Sequence, residues 1–176
     1  RPRIATLLNV TPDHLDRHES LDAYRDAKLR LFDRQGAADL SLLPAADNAL
    51  QRAFQARCRR PFETFGSEPG SDWRFVPGAA LRRADPHFRV SLGGCYFDNP
   101  ILGPAAAAGT AALVHAGLTA AEIAEGFRGF APLPHRMQPV AEYGGVRFVN
   151  DSKATSLTAL HAAVRMVSGR VRLIAG

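Results

Sequence analysis

The pattern of apolar and polar residues divides the chain into short strands that alternate with helices. Short apolar runs bounded by polar residues, Gly or Pro predict strands, and apolar residues spaced three and four apart predict helices. Strands are predicted at 4–10, 40–45, 146–150 and 171–175, with four β-like runs between 61 and 99 (FETFG, WRFV, FRVSL and CYF). Helices are predicted at about 20–33, 49–57, 104–115, 119–127 and 156–167. This alternation favours an α/β fold.

Two of the predicted helices begin with recognisable caps. Ser20 is expected to cap the first helix, and Thr119 with Glu122 three residues later forms a capping box. On the first helix, an apolar stripe contains Lys28 at its centre. We therefore expect Lys28 to be partly buried and to lie within reach of His14, in the preceding polar loop (11–19), across a polar cleft. The stripe consists of Leu21, Tyr24, Lys28, Leu31 and Phe32.

A Pro-rich segment, Gly129-Phe130-Ala131-Pro132-Leu133-Pro134, predicts a linker between two packing units. After it, the order strand–helix–strand predicts a parallel βαβ unit. We expect one domain over 1–131, the start of a second over 132–176, and no sheet shared by 4–10 and 146–150.

Composition sets the broad class of protein. The chain has 176 residues, 46% of them hydrophobic, which is enough for a buried core. No apolar run reaches the ~18 residues of a membrane span, so no membrane insertion is expected. The first residue is not Met and the last residues form an apolar run, which we interpret as a segment of a longer chain. With only two cysteines, a cytoplasmic location is expected.

The net charge of +5 raises the alternative of a basic nucleic-acid-binding module. Small arginine clusters occur at 57–60 and 82–83, but acidic residues are interspersed and no aromatic platform is evident. We therefore expect no nucleic-acid partner. Of the 22 basic residues only Lys28 and Lys153 are lysines, which makes them candidates for chemistry that arginine cannot perform.

Two imidazoles and two carboxylates lie in the loop after the first strand, where ligands bind in α/β sheets. The segment Asp13-His14-Leu15-Asp16-Arg17-His18 is either a ligand site or a solvated loop, and no third zinc ligand is nearby. Lys28 either extends its ammonium to water or, as a neutral amine, reacts with carbon dioxide. The resulting carbamate would supply oxygen ligands suited to magnesium.

A second group of polar residues follows the linker. Arg136 is either a surface arginine or a bidentate ligand for phosphate. The segment Asn150-Asp151-Ser152-Lys153-Ala154-Thr155 lies between a strand and a helix. There Lys153 and the helix N-terminus favour an anion, and Asp151 is suited to a ribose or a cation. The alternative is ordinary helix capping by Ser152, Thr155 or Ser156.

Four motifs in this order resemble the ATP-dependent Mur ligases. They are NVTPDHLDRH (9–18), YRDAK (24–28), LPHR (133–136) and NDSKAT (150–155). The resemblance implies the later part of a central P-loop-type ATPase domain followed by the start of a Rossmann-like C-terminal domain. It also implies ATP-driven amide formation, in which ATP phosphorylates a carboxylate and an amine attacks the acyl phosphate. The implied substrates are UDP-N-acetylmuramoyl-L-alanine and D-glutamate, the implied cofactors ATP and magnesium, and the expected state a monomer.

The same resemblance assigns roles to individual residues. His14 matches a metal-site histidine, and Lys28 matches a carbamylated lysine that helps to hold magnesium; both are candidate catalytic residues. Arg136 matches a contact to ATP phosphate, and Asp151 a contact to the ribose. Lys153 and Thr155 match residues on the D-glutamate side.

Three departures from the family pattern affect these expectations. The Gly-rich phosphate loop is not in this sequence, so the segment alone is expected not to hydrolyse ATP. The helix start that usually contacts adenine is replaced by GPAAAAG (103–109), and Ser156 stands where Asn is common. A further alternative is therefore a degenerate Mur-ligase homologue acting as an amidotransferase partner.

Overall fold

A six-stranded sheet forms the larger part of the protein. The computed structural model describes residues 1–11, 18, 20–167 and 169–174. The strands lie side by side in chain order. The first four run parallel to one another, the fifth is antiparallel to the fourth, and the sixth is antiparallel to the fifth. They are β1 (Ile4–Thr6), β2 (Leu40–Pro44), β3 (Glu63–Gly66), β4 (Trp73–Val76), β5 (Ala79–Arg82) and β6 (Asp85–Ser91).

Helices cover both faces of this sheet, as the near-continuous burial of β2 requires. On one face lie α1 (Leu21–Leu29), which continues as a 3-10 turn (Arg30–Phe32), and α2 (Asn48–Cys58); on the other lie α3 (Gly103–His115) and α4 (Ala120–Gly129). Neighbouring β2 residues therefore enter different cores: Leu43 packs with Leu29, Phe32, Leu50 and Phe54, whereas Leu42 packs with Trp73, Phe75 and the alanines of α3.

The predicted helix caps are confirmed. The Ser20 hydroxyl accepts a hydrogen bond from the N–H of Ala23. Thr119 and Glu122 form the reciprocal capping box. These interactions satisfy N–H groups that have no partner within the helix.

Two arginines near the C-terminal end of α2 hold the 3-10 turn after α1. Arg57 donates two hydrogen bonds of 2.7 Å to Asp33, which lower the pKa of that carboxyl. Arg60 donates to the carbonyls of Phe32 (2.6 Å) and Gln35 (2.5 Å). The position of α1 is thus fixed by ion pairing and carbonyl capping as well as by its apolar face.

A two-stranded sheet and a helix, together called the hairpin unit, follow the linker. Strands β7 (Gln138–Tyr143) and β8 (Val146–Asn150) form an antiparallel hairpin, and α5 (Leu157–Met166) follows. The two glycines between the strands, Gly144 and Gly145, have φ of 57° and 73°. Such a pair of positive φ values is what a tight two-residue hairpin turn needs. Because β1 and β8 belong to different sheets, the predicted absence of a shared sheet is confirmed.

The strand predictions need four corrections, and one is that β7 was not predicted. The prediction of a parallel βαβ unit is wrong for the described residues. Strand β8 pairs antiparallel with β7, and residues 171–174 form no strand. Ile174 is 97% exposed, and a strand requires a neighbour to satisfy its backbone groups. The run CYF (95–97) is a turn, and β5 was not predicted. Among the described residues, no helix has the length and apolarity needed to cross a membrane.

Candidate functional site

Two loops meet where the linker enters the hairpin unit. The N–H of Met137 donates to Asp151 Oδ1 at 2.9 Å, and the N–H of Lys153 donates to the carbonyl of His135 at 3.2 Å. Asn150 Nδ2 lies 3.0 Å from His135 Nδ1. The structure therefore brings Arg136, Asp151 and the Lys153 backbone into one hydrogen-bonded junction.

The linker side of this junction has an unusual backbone. His135 and Met137, on either side of Arg136, have φ of 65° and 44°. Such values are uncommon for residues other than glycine. The hydrogen bonds to Asp151 and from Lys153 hold this conformation. Arg136 itself is exposed and Asp151 is half-buried, so a guanidinium and a carboxylate are presented on adjoining loops.

A cleft of about 190 Å³ lies beside the junction. Tyr96 and Asn99, from the turn before α3, form one wall, and residues of the hairpin and the end of α5 form the other. Burial raises the pKa of the Tyr96 phenol, the negative charge of Asp151 raises it further, and Arg136 lowers it. Tyr96 therefore lines the same cleft as Met137, whose N–H donates to Asp151. The second wall consists of Met137, Pro139, Arg147, Val149, Met166 and Val167.

Lys153 and Thr155 lie between β8 and α5. Both residues are exposed. Ser156 caps α5, since its hydroxyl accepts a hydrogen bond from the N–H of Ala159 at 3.2 Å. The capping role therefore falls to Ser156, which leaves the side chains of Lys153 and Thr155 available to a ligand.

The predicted partial burial of Lys28 is wrong, because its side chain is exposed. The α-helix ends at Leu29 and continues as a 3-10 turn, in which residues three apart lie in line. The buried line therefore passes through Leu29 and Phe32, both 0% exposed, whereas Leu31 is 43% exposed. Lys28, three residues before Leu31, is exposed on the same side as Leu31.

Lys28 nevertheless lies against an aromatic side chain that faces the polar loop. Its Nζ is 5.0 Å from the centroid of the Tyr24 ring, and the His18 ring is 4.9 Å from the same ring. Tyr24 thus lies next to both Lys28 and His18. His14 itself lies outside the described residues, so its predicted proximity to Lys28 stays a prediction.

The described residues do not form a magnesium site by themselves. The described part of the chain has no group of three or more His, Cys, Asp or Glu side chains placed to hold a metal. The Lys28 side chain is also exposed rather than buried. The predicted binding of magnesium by His14 and a Lys28 carbamate stays a prediction, because His14 lies outside the described residues.

Sequence reasoning missed Tyr96 as a residue of this region. Its run CYF was interpreted as a strand, and the run does not indicate that the turn faces the hairpin unit. The sequence did contain a signal that these segments pack together, namely the aromatic linker residue Phe130 and the earlier aromatic residues Tyr96, Phe97 and Phe127. In the structure Phe130 packs against Tyr96 and Phe97, with ring centroids 5.7 and 4.7 Å apart.

Comparison with known proteins identifies the class to which this fold and junction belong. Residues 1–108 match the Mur ligase middle domain, and the chain belongs to the Mur ligase family. One relative is the UDP-N-acetylmuramoylalanine--D-glutamate ligase of Acidobacterium capsulatum. It is 37% identical over 186 residues, covering 100% of this chain and 39% of the relative. The chain thus spans about two-fifths of that protein's length.

Solved structures support the fold. A MurF from Acinetobacter baumannii superposes with a TM-score of 0.74 at 19% identity, covering 94% of this chain and 37% of that one. A MurF ligase from Thermotoga maritima, solved in complex with ADP, gives a TM-score of 0.62 at 22% identity, covering 93% of this chain and 39% of that one. At these identities the similarity shows the α/β architecture alone.

Proposed function

We propose that this chain is part of an ATP-dependent ligase of peptidoglycan precursor synthesis that joins D-glutamate to UDP-N-acetylmuramoyl-L-alanine. The supporting observation is the junction at which Arg136, Asp151 and Lys153 meet beside a cleft. The 37% identical relative, which covers the whole chain, carries the name of this ligase. We place the later part of the ATP-binding domain at 1–131 and the start of the C-terminal domain at 132–176.

The proposed reaction has two steps. The substrate carboxylate attacks the γ-phosphorus of ATP, which gives an acyl phosphate and ADP. The amine of D-glutamate then attacks the acyl carbon, the new C–N bond forms, and phosphate leaves. Because both steps carry dense negative charge, cationic side chains and a divalent cation are needed to stabilise it.

The residues of the junction have distinct proposed roles. Arg136 is exposed and permanently charged, and it contacts the ATP phosphates. One Asp151 oxygen accepts from Met137, which orients the carboxylate and leaves its other oxygen for a ribose hydroxyl. Lys153 and Thr155 contact the D-glutamate side.

The metal assignment is a separate proposal. We assign magnesium binding to His14 together with a carbamate on Lys28, on the strength of the family motif rather than the described geometry. We also propose that the chain acts as a monomer in the cytoplasm, and that the segment alone does not hydrolyse ATP because its sequence contains no phosphate loop. Size-exclusion chromatography tests the monomer, and an ATPase assay of the segment tests its inactivity.

The experiment that tests the function is an amino-acid panel assay of the full-length protein. ADP release is measured with UDP-N-acetylmuramoyl-L-alanine and each amino acid in turn, and D-glutamate is expected to support turnover selectively. Arg136→Ala should raise KM for ATP or lower kcat by at least about tenfold, because a charge-assisted phosphate contact is lost. Arg52→Ala, an exposed arginine on α2, is the matched control.

Turnover with another amino acid but not D-glutamate would contradict the assigned substrate. ADP release independent of any amino acid would contradict the ligase reaction. Absence of turnover together with absence of nucleotide binding would favour the degenerate homologue instead.

A further inference from the structure

The cleft between the turn before α3 and the hairpin unit has the lining of a site for a flat ring with polar edges. Methionine, proline and valine side chains supply apolar surface, and Asn99 and Arg147 supply polar groups. Its volume is about 190 Å³. Sites that hold a whole drug-sized ligand have roughly 300–1,000 Å³. The cleft therefore fits one part of a nucleotide better than all of it.

Tyr96 is the only aromatic side chain that lines this cleft in the described part of the chain. Its ring is supported from behind, because Phe97 packs edge-on against it at 5.4 Å and Phe130 lies at 5.7 Å. The Asn99 amide donates to the Tyr96 carbonyl at 2.9 Å, which fixes the turn. A ring held in this way loses little conformational freedom when a ligand packs against it.

The position of the cleft relative to the junction selects the class of ligand. Met137 lines the cleft, and its N–H donates to Asp151, the proposed ribose contact. A nucleotide whose ribose meets Asp151 would therefore direct its base into the cleft. The helix start GPAAAAG offers no polar side chain for that base before Thr110.

We propose that Tyr96 is a nucleotide-binding residue whose ring packs against the nucleobase of ADP or ATP. The proposal rests on the proposed function, since it requires a nucleotide at this junction. Its physical basis is stacking between an aromatic side chain and a base, which contributes binding without a hydrogen-bond pattern.

The test measures binding of two ligands to the full-length protein. Calorimetric titration gives the affinity for ADP, and inorganic tripolyphosphate, which has no base, is titrated as a competitor. Tyr96→Leu should weaken ADP binding about tenfold and leave tripolyphosphate affinity unchanged. Tyr96→Phe keeps the ring and should stay within about threefold of the parent. Tyr143→Ala, at a position that is 83% exposed on the hairpin, is the control.

The outcomes separate the two proposals. Equal loss of ADP and tripolyphosphate affinity in Tyr96→Leu would overturn the base contact in favour of a structural role. Unchanged ADP affinity in Tyr96→Leu would also overturn it, while leaving the proposed function intact. Failure of the parent protein to bind ADP would instead overturn the proposed function, and the base contact with it.

Discussion

The six-stranded unit and the hairpin unit are held together by different interactions. The first has two apolar cores, and side chains such as Leu29, Phe32 and Leu50 are completely buried. In the second, Ala163 is the one buried apolar residue among those described. Yet Arg136, Asp151 and Lys153 all belong to the second unit.

This difference shows that the candidate site is ordered by hydrogen bonds more than by packing. The contacts Met137–Asp151 and Lys153–His135 connect the loops directly, without an apolar core beneath them. Hydrogen bonds of this kind each contribute about 1 kcal/mol net. We therefore expect substitutions at the site to change ligand binding strongly and overall stability weakly, and core substitutions to do the reverse.

The largest expected effect compares two leucines at the start of helices in the two units. Leu50 in α2 is 0% exposed, whereas Leu157 in α5 is 85% exposed. Leu50→Ala should lower the free energy of unfolding by about 2–5 kcal/mol, because it leaves a cavity in the core. Leu157→Ala should change it by only about 0.5 kcal/mol or less, as is usual for surface substitutions. Urea unfolding of this chain, followed by far-ultraviolet circular dichroism, measures both. Equal losses would show that the two units do not differ as described.

Lys28 provides a further test of the difference between site and core residues, because it is an exposed residue of the six-stranded unit. In the full-length enzyme, Lys28→Ala should lower the ligase rate by ~10²–10³, or about 3–4 kcal/mol of transition-state stabilisation, if its carbamate supplies a metal ligand. Stability should change little, since the side chain lies outside the core. The measurements are kcat and the thermal unfolding midpoint of the same preparation.

Two further variants test the chemistry of Lys28. Lys28→Arg should not restore activity, because a guanidinium remains charged and does not add carbon dioxide. Added short-chain carboxylates should partly restore Lys28→Ala by supplying an oxygen ligand. Near-normal turnover of Lys28→Arg would show instead that only the positive charge, or its contact with Tyr24, is required.

Local sequence information was sufficient to predict some features of the structure and insufficient for others. The caps at Ser20 and Thr119 are local, so residue types three apart were enough to predict them. The apolar pattern placed Lys28 and Leu31 on one buried stripe, but after Leu29 the 3-10 turn puts Phe32 in the core and Leu31 outside it, which the pattern alone does not indicate. The hairpin was missed because Pro139 interrupts the first strand, although Gly144-Gly145 was a usable turn signal.

Sequence motifs identified the residues of the candidate site, but they did not predict which of these residues lie together in the structure. Nothing local to Arg136 or Asp151 indicates that Met137 would bridge the two loops, because that contact joins positions 14 residues apart. Tyr96 lies still further from Asp151 in the chain. Contacts of this kind depend on how distant segments fold against each other, which a single sequence does not specify.

A smaller stability effect is expected at Gly103, where α3 meets the sheet. A Cβ placed on Gly103 would overlap the ring of Phe75, which is 5% exposed and therefore has little room to move. Gly103→Ala should lower the free energy of unfolding by about 1–3 kcal/mol through overpacking, despite the better helix propensity of alanine. Gly126→Ala in α4, where a Cβ would meet no atom within 4 Å, is the control and should be neutral or stabilising. Urea unfolding of both variants measures the difference, and an unchanged Gly103→Ala variant would show that this core adapts more easily than its burial suggests.

The smallest expected effect is a dependence of stability on pH that originates in the well-packed unit. Burial raises the pKa of Asp72, but hydrogen bonds from Arg83 and from the N–H and hydroxyl of Thr64 outweigh it, so the pKa lies below its usual 3.8. A carboxyl with a lowered pKa in the folded state stabilises the protein fully above its unfolded-state pKa. That contribution is lost as the pH falls from about 4 through the folded-state pKa. The difference in unfolding free energy between the parent and Asp72→Asn should therefore be largest near neutral pH and shrink below about pH 4. Asp85→Asn, at an exposed position of β6, is the matched control. A constant difference between the parent and Asp72→Asn across the acidic range would mean that the ion pair with Arg83 contributes no pH-dependent stability.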